Sequence, residues 1–349
     1  MSALLCLADS PAIIAAAEAG IVLPVLSVVI PAFNSESTIA QCLASLLESL
    51  TPHTEVIVVD DASTDGTAAI VSRFPCKLIS LRENAGPAHA RNAGALHAKG
   101  DLLFFLDADI VIAPDTLPLI LRSFDDDPGL AALFGSYGPD TPDPGVYSQY
   151  KNLIHHYTHQ TSREQAVTFC SGFGAIRRDV FQAIKGFDGR QRALEDIEFG
   201  YRLHRSGYRI RLVKELQLTH LKRYTFGSLV HSDLWNRAAA WTELMLRYRI
   251  CRSDLNTKPH HVASVAISVL LLASIGGALF SVAALQDSIV LAVALVWLNR
   301  GFLFFVSRIR SVPVTVAVGV IAWIIYVLSS FGAIAGVTRW VRASIGSRA

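Results

Sequence analysis

Leu102-Leu103-Phe104-Phe105-Leu106-Asp107-Ala108-Asp109 sets five apolar residues directly before a pair of carboxylates. The run reads as a short buried strand ending in Asp107 and Asp109, which puts both at the carboxyl edge of a sheet. Open α/β sheets bind their ligands at that edge. Two aspartates one residue apart suit a divalent cation that phosphate oxygens also hold. Asp-x-Asp alone is a common solvated turn, so its weight comes from what flanks it.

Upstream, Leu26-Ser27-Val28-Val29-Ile30-Pro31 reads as a first strand, and Asn34-Ser35-Glu36-Ser37 turns into a helix carrying Ile39, Leu43, Leu46 and Leu47. Residues 55–59 form a second strand that runs into the polar turn Asp60-Asp61-Ala62-Ser63-Thr64-Asp65-Gly66-Thr67 and a second helix. Residues 77–81 form a third strand, and Gly86-Pro87 opens a third helix. Downstream, Pro114 starts a helix, 130–136 is a strand, 138–145 is a loop by composition, and 147–164 is a helix. Gly172 and Gly174 break the apolar run 167–177, as where backbone approaches a ligand closely. Glu195-Asp196-Ile197-Glu198 opens a helix that ends at Ser206-Gly207. First-turn carboxylates are also what the helix dipole favours. Residues 209–213 and 216–220 read as two short strands. Strands alternating with helices predict a mostly parallel sheet with helices on both faces. Residues 225–250 read as one long amphipathic helix, lying on a membrane or packed against the globular part.

Hydrophobic residues make up 52% of the 349, and the mean hydropathy is +0.40. Most of the excess lies after residue 261. Residues 262–285 carry no charge over 24 positions, enough to cross ~30 Å of hydrocarbon. Residues 288–307 are apolar except at Asn299-Arg300, and 311–338 are uncharged. Two to three spans are expected, with three preferred. Between Tyr201 and Arg252, eleven Lys/Arg stand against three Asp/Glu. This basic segment suits anionic headgroups, and the positive-inside rule puts it in the cytosol. Nucleic acid is not expected as a partner, because the carboxylates would repel phosphates that arrive without a metal. The five cysteines form no CxxC pair and read as buried free thiols. The first 24 residues lack a basic n-region and are interrupted by Asp9, Pro11 and Glu18, unlike a signal peptide.

Several polar groups converge on one sheet edge: Asn34 and Glu36, Asp60 and Asp61, Asp107 and Asp109. A nucleotide fits there, since a carboxylate accepts from a base N–H or a ribose hydroxyl and a metal bridges to a diphosphate. Gly86 at a helix start and Arg91 both favour phosphate. There is no GxxxxGK[ST] and no GxGxxG after the first strand, which excludes a P-loop and disfavours a dinucleotide fold. His155 and His159 share a helix face, where a polar surface is favoured over a metal site.

Taken together, Pro31-Ala-Phe-Asn34 with Glu36, Val58-Val-Asp-Asp-Ala-Ser-Thr-Asp-Gly66, Asn84-Ala-Gly-Pro87 through Ala90-Arg-Asn-Ala-Gly94, Asp107-Ala-Asp109, Gly186-Phe-Asp188 and Glu195-Asp-Ile-Glu198 resemble the family 2 glycosyltransferases of the GT-A fold. The ordered set spans residues 26–220. The resemblance implies a UDP- or GDP-linked sugar donor, a divalent metal (Mn2+ or Mg2+) and an inverting transfer. It implies nucleotide-sugar contacts from Pro31, Phe33, Asn34, Glu36, Asp60, Asp61, Gly86, Arg91 and Asp107. It implies metal ligands in Asp109, Asp107 and His220, a general base in Asp196 beside Glu195, and an acceptor-side glycine loop at Gly172-Phe173-Gly174. A base implies a hydroxyl acceptor, on a membrane lipid or a lipid-linked sugar, because a polyprenyl phosphate is already ionised. Processive synthases of this family carry Gln-x-x-Arg-Trp after the base, whereas this chain reads His231-Ser-Asp-Leu-Trp-Asn-Arg-Ala238. One sugar per encounter is therefore expected.

The expected organisation is an N-terminal extension (1–25), a GT-A catalytic domain (26–224), a juxtamembrane amphipathic region (225–261), an all-α membrane region (262–338) and a basic tail (339–349). The protein is expected in a bacterial inner or plasma membrane with its catalytic domain cytosolic. The rival readings are a polyprenyl-phosphate sugar synthase and an inactive membrane scaffold that keeps a nucleotide-binding fold. A small transporter is poorly served by three apolar segments.

Overall fold

A computed structural model describes residues 26–191, 193–250, 255 and 258–346. The expected N-terminal extension, Cys6, Cys251 and the last residues of the tail lie outside them. Nine strands are present among the described residues: β1 Leu26–Ala32, β2 Thr54–Asp60, β3 Lys77–Ser80, β4 Leu102–Leu106, β5 Ile110–Ile112, β6 Leu130–Tyr137, β7 Gln165–Ala166, β8 Phe173–Arg177 and β9 Arg209–His220. The helices are α1 Ile39–Ser49, α2 Thr67–Val71, α3 Pro87–His97, α4 Thr116–Asp125, α5 Val146–Gln160, α6 Arg178–Ala183, α7 Glu195–Arg205, α8 Phe226–His231, α9 Ala240–Tyr248, α10 Pro259–Gly277, α11 Val282–Leu298, α12 Arg300–Ile309 and α13 Val312–Gly346. The stretch Ser232–Ala239 between α8 and α9 is π-helical. The described chain divides into two units, 26–136 with 164–221 and 137–163 with 222–346.

The first unit is built on the sheet, in the order β3-β2-β1-β4-β8-β6-β9-β5 with β7 on β9. β1 pairs in parallel with β2 and β4, and β2 with β3. The β8 pairings with β4 and β6, and the β9 pairings with β5 and β7, are antiparallel. The parallel half is where helices connect the strands, since a parallel neighbour needs a long crossover. The expected mostly parallel sheet is therefore mixed. The two short strands expected at 209–220 are one strand of 12 residues. Its Lys214-Glu215 pair continues the strand without a turn, Lys214 partly exposed and Glu215 exposed.

The core is aromatic. Phe104, Phe105, Phe134, Phe169, Phe173 and Phe199 are all fully buried. α3 packs closely on the sheet through Gly94, where a Cβ would run into Val29 and come within 3.1 Å of Val59. β1 tolerates Pro31 because its pairing to β4 ends at Val29, so the missing N–H breaks no bond there.

The second unit is helical. α5, α8, α12 and α13 supply its core, which includes Tyr150, Leu153, Leu229, Phe302, Val306 and Ile321. α10 and α13 are long and apolar enough to cross a membrane. α11 and α12 meet at a bend of 67° and reach that length only as a pair. Asn299 sits at this bend, donating to Ser264 Oγ (2.9 Å) and accepting from Tyr326 OH (2.8 Å). The expected long helix at 225–250 starts at a capping box on Thr225 and changes pitch through the π-helical stretch. Gly332 and Gly336 of α13 pack on that stretch, where a Cβ at Gly332 would lie 2.8 Å from Leu234 O. The segment 137–163, expected within the catalytic domain, groups with the helical unit.

Candidate active site

The parallel register aligns the strand ends. Ala32 faces Asp60, and Asp60 faces Ser80. Asp107 follows β4 at the same edge. Most of the polar side chains expected there hold backbone N–H groups of the loops at that edge. Asn34 Oδ1 accepts from Thr64 N (2.9 Å), Glu36 Oε2 accepts from Gly66 N (2.8 Å), and Asp60 Oδ1 accepts from Ser63 N (3.2 Å). Asp61 is buried, and its two oxygens accept from Ala85 N (2.9 Å) and Gly86 N (2.8 Å). Gly86 takes φ +90° just before Pro87 opens α3, a turn that favours glycine. These contacts fix the loops after β1, β2 and β3 in a shared rim. Phe33 stands 47% exposed on it.

Arg91 joins the two carboxylate motifs. It is 4% exposed, and its guanidinium donates to Asp107 Oδ1 and to Glu195 Oε1, both at 2.7 Å. The Phe187 ring lies 5.8 Å from its centre. Burial works against its charge, but Asp107 and Glu195 outweigh this and hold it above its ordinary value. Arg91 was expected on phosphate; its geometry instead ties the end of β4 to the first turn of α7. Helical spacing carried the signal, because Ala88, Arg91, Gly94 and Ala95 are buried on the face of α3 turned to the sheet.

Asp196 follows Glu195 in that turn. Burial pushes its carboxyl up to about 7, with Glu195's charge adding to the effect and Arg91 opposing it. The residue before Glu195, Leu194, holds a left-handed φ of 57°, a strained turn that sets the helix start. Asn92 adds a second tie that sequence reasoning missed: its side chain donates to Phe187 O (2.8 Å) and accepts from Phe187 N (3.0 Å), locking the Gly186-Phe187-Asp188 motif to α3.

Asp109 and His220 come together through the β5–β9 pairing, with Oδ2 and Nε2 3.4 Å apart. A carboxylate and an imidazole at this spacing suit a divalent cation. No group of three His, Cys, Asp or Glu with metal-binding geometry occurs among the described residues. The pair therefore fits a cation completed by diphosphate oxygens better than an all-protein cage. Asp107, expected as a further ligand, is paired with Arg91.

The acceptor-side triplet separates. Gly172 rests on the site: its carbonyl accepts from Asp107 N (2.9 Å), and a Cβ there would come within 2.6 Å of Asp107 Oδ2. Phe173 is fully buried against Phe104, and Gly174 faces inward, where a Cβ would lie 2.6 Å from Phe169. Both are core positions because β8 runs between β4 and β6. Of the histidines on α5, His155 stacks on Tyr137 and accepts from Arg237 (2.7 Å), a structural place.

Residues 27–185 match the family described as Glycosyl transferase family 2. An uncharacterized glycosyltransferase of Haemophilus influenzae is 28% identical over 62% of this chain and 74% of its own length. The poly-beta-1,6-N-acetyl-D-glucosamine synthase of Staphylococcus aureus is 26% identical over 60% of this chain. The chain spans about half of that synthase, 52% of its length. Among solved structures, the mannosyltransferase PcManGT from Pyrobaculum calidifontis, in complex with GDP-Man and Mn2+, superposes at a TM-score of 0.55 with 20% identity, covering 91% of this chain and 87% of that one. The fold is GT-A, with a C-terminal helical region added.

Proposed function

We propose that this chain, a transferase through its family 2 glycosyltransferase domain, moves one sugar from a UDP- or GDP-linked donor to a hydroxyl of a lipid or lipid-linked acceptor. The observation that carries this reading is the bridge through Arg91, which brings Asp107 and the Glu195-Asp196 turn to one place on the sheet edge. Asp196 takes the proton of the acceptor hydroxyl as its oxygen attacks the anomeric carbon. The bond from that carbon to the diphosphate oxygen breaks on the opposite face, and the electron pair leaves with the diphosphate. A carboxyl raised to about 7 is a better base than an ordinary aspartate and is still partly ionised at neutral pH. Arg91 is a positioning residue, and Gly172 lets backbone sit against Asp107 without a side chain between them. Exposed Phe33 offers a stacking face to the donor base, beside Asp60 on the rim.

A divalent cation, Mn2+ or Mg2+, held by Asp109 and His220 would neutralise charge developing on the leaving diphosphate. The Mn2+ and GDP-Man of the Pyrobaculum calidifontis mannosyltransferase make that pair the first to test. Two long apolar helices and the basic segment before them support a membrane position, with the sheet unit on the cytosolic side of a bacterial inner or plasma membrane.

The test is calorimetric binding of UDP- and GDP-sugars to the full chain in detergent, with Mn2+ and Mg2+, for the parent and Asp109→Ala. Metal-dependent donor binding lost in the variant supports the site; binding unchanged in the variant overturns it. The S. aureus synthase favours a second reading, chain polymerisation. Product mass separates the two, since one added sugar fits the proposed reading and a ladder fits the other.

A further inference from the structure

The helical unit holds a cavity of about 480 Å3, within the roughly 300–1,000 Å3 typical of small-molecule sites. Much of its wall is apolar, with Trp241, Val262, Val265 and Ile325 among the lining residues. One side is ionic, formed by Lys151, Asp233 and Arg237. Val262 and Val265 belong to the first two turns of α10, so the cavity stands where an apolar span begins and lipid headgroups gather.

The ionic side does not balance. Lys151 is 5% exposed, and its ammonium donates to Asp233 Oδ1 at 2.5 Å. Arg237 Nε lies 3.8 Å from the same oxygen, and Arg237 Nη1 donates to His155 Nε2. With Lys151 protonated, two cations share one carboxylate, a surplus of one positive charge. Burial pushes the Lys151 ammonium down to about 7, with Arg237 adding to the effect and Asp233 opposing it. Buried charge that lacks a counter-ion costs several kcal/mol (an order of magnitude only). Lys151 has no second hydrogen-bond acceptor among the described residues, so its ammonium keeps donors to offer. A phosphate supplies both the charge and the acceptors, and Arg and Lys are the usual pair to hold one.

We propose that this cavity binds a lipid with a phosphate head and a single apolar chain, the phosphate between Lys151 and Arg237 and the chain along Trp241, Val265 and Ile325. The charge surplus selects the head and the apolar wall selects the chain. The volume, toward the lower end of the range, matches one chain more closely than the two of a diacyl lipid. The proposal is read by binding alone.

The experiment is native mass spectrometry of the full chain in detergent, titrated with farnesyl phosphate, farnesol and dioleoyl phosphatidic acid. Farnesyl phosphate is expected to be retained over both of the others. Lys151→Met should weaken its retention roughly tenfold or more, the scale of one hydrogen bond to a charged group. Asp233→Asn removes the competing carboxylate and should strengthen it. The Asp233→Asn arm also decides the matter if Lys151→Met fails to fold. An ion cluster with only a structural role would leave retention in Asp233→Asn unchanged or weaker, which overturns the proposal. Equal retention of farnesol overturns the phosphate head, and tighter retention of the diacyl lipid overturns the single chain.

Discussion

Both units bury an ionic cluster around an arginine, and the two are unbalanced in opposite senses. On the sheet edge, Arg91 pairs with both Asp107 and Glu195 while Asp196 follows in the same turn, an acidic surplus. In the helical unit, Lys151 and Arg237 share Asp233, a basic surplus. A cluster with a purely structural task tends toward neutrality, because uncompensated buried charge is expensive. A persistent surplus is a sign of function, and its sign names the missing partner. The acidic edge asks for a cation and for protons to accept; the basic cavity asks for an anion.

The comparison breaks most sharply at Asp196. Asp196→Asn keeps the shape but removes the proton acceptor, so transfer to a hydroxyl should fall ~10²–10⁴-fold while donor binding by calorimetry stays intact. Full transfer to a polyprenyl phosphate by this variant would favour the rival acceptor. Next in size is Arg91→Met, which strands Asp107 and Glu195 together. It should cost about 3–5 kcal/mol in denaturation, as for breaking a buried pair. Lys151→Met leaves Asp233 beside Arg237, still one against one, and should cost less. Equal losses from the two would mean that the imbalance has no energetic meaning. Gly172→Ala is smaller again. Its Cβ would meet Asp107 Oδ2 at 2.6 Å, a crowding worth roughly 1–3 kcal/mol, and it should lower kcat more than it moves the unfolding midpoint.

How far this was legible in sequence depended on the kind of signal. The strand before Asp107 was plain, since five apolar residues in a row have few other uses. The antiparallel half was not, because β8 and β9 are paired by long-range register that no local pattern carries. The edge residues were legible as a set, but not their tasks. Asn34, Glu36 and Asp61 look alike as polar loop residues, and only the fold reveals that backbone N–H groups take up much of their acceptor capacity. The family resemblance placed Phe173 and Gly174 beside the acceptor with Gly172, yet β8 begins at Phe173, and both are taken up in the packing between β4 and β6. The basic cluster was hidden because Lys151 and Asp233 are 82 residues apart. Asp233 and Arg237 lie within 231–238, where the departure from the processive pattern was read only as a sign of single transfer.

Stability should also depend on pH, in a way that tests whether the acidic surplus is real. Burial and Glu195 raise the Asp196 carboxyl from an ordinary 3.8 to about 7. Between those values the folded state holds a proton that the unfolded state has lost. Stability from this group is therefore greatest below pH 3.8, declines as pH rises through that window, and levels off above about 7. Asparagine cannot ionise, so Asp196→Asn escapes the decline. Its midpoint should match the parent near pH 4 and exceed it clearly at pH 8, since a rise from 3.8 to about 7 is worth ~4 kcal/mol and each kcal/mol moves the midpoint of a domain of this size by about 2–4 °C. Arg91 supplies the control: Arg91→Lys keeps the opposing charge, so the same decline should persist in it. A variant-to-parent gap constant from pH 4 to pH 8 would mean that Asp196 titrates as an ordinary aspartate, and the acidic edge would lose its claim to a poised base.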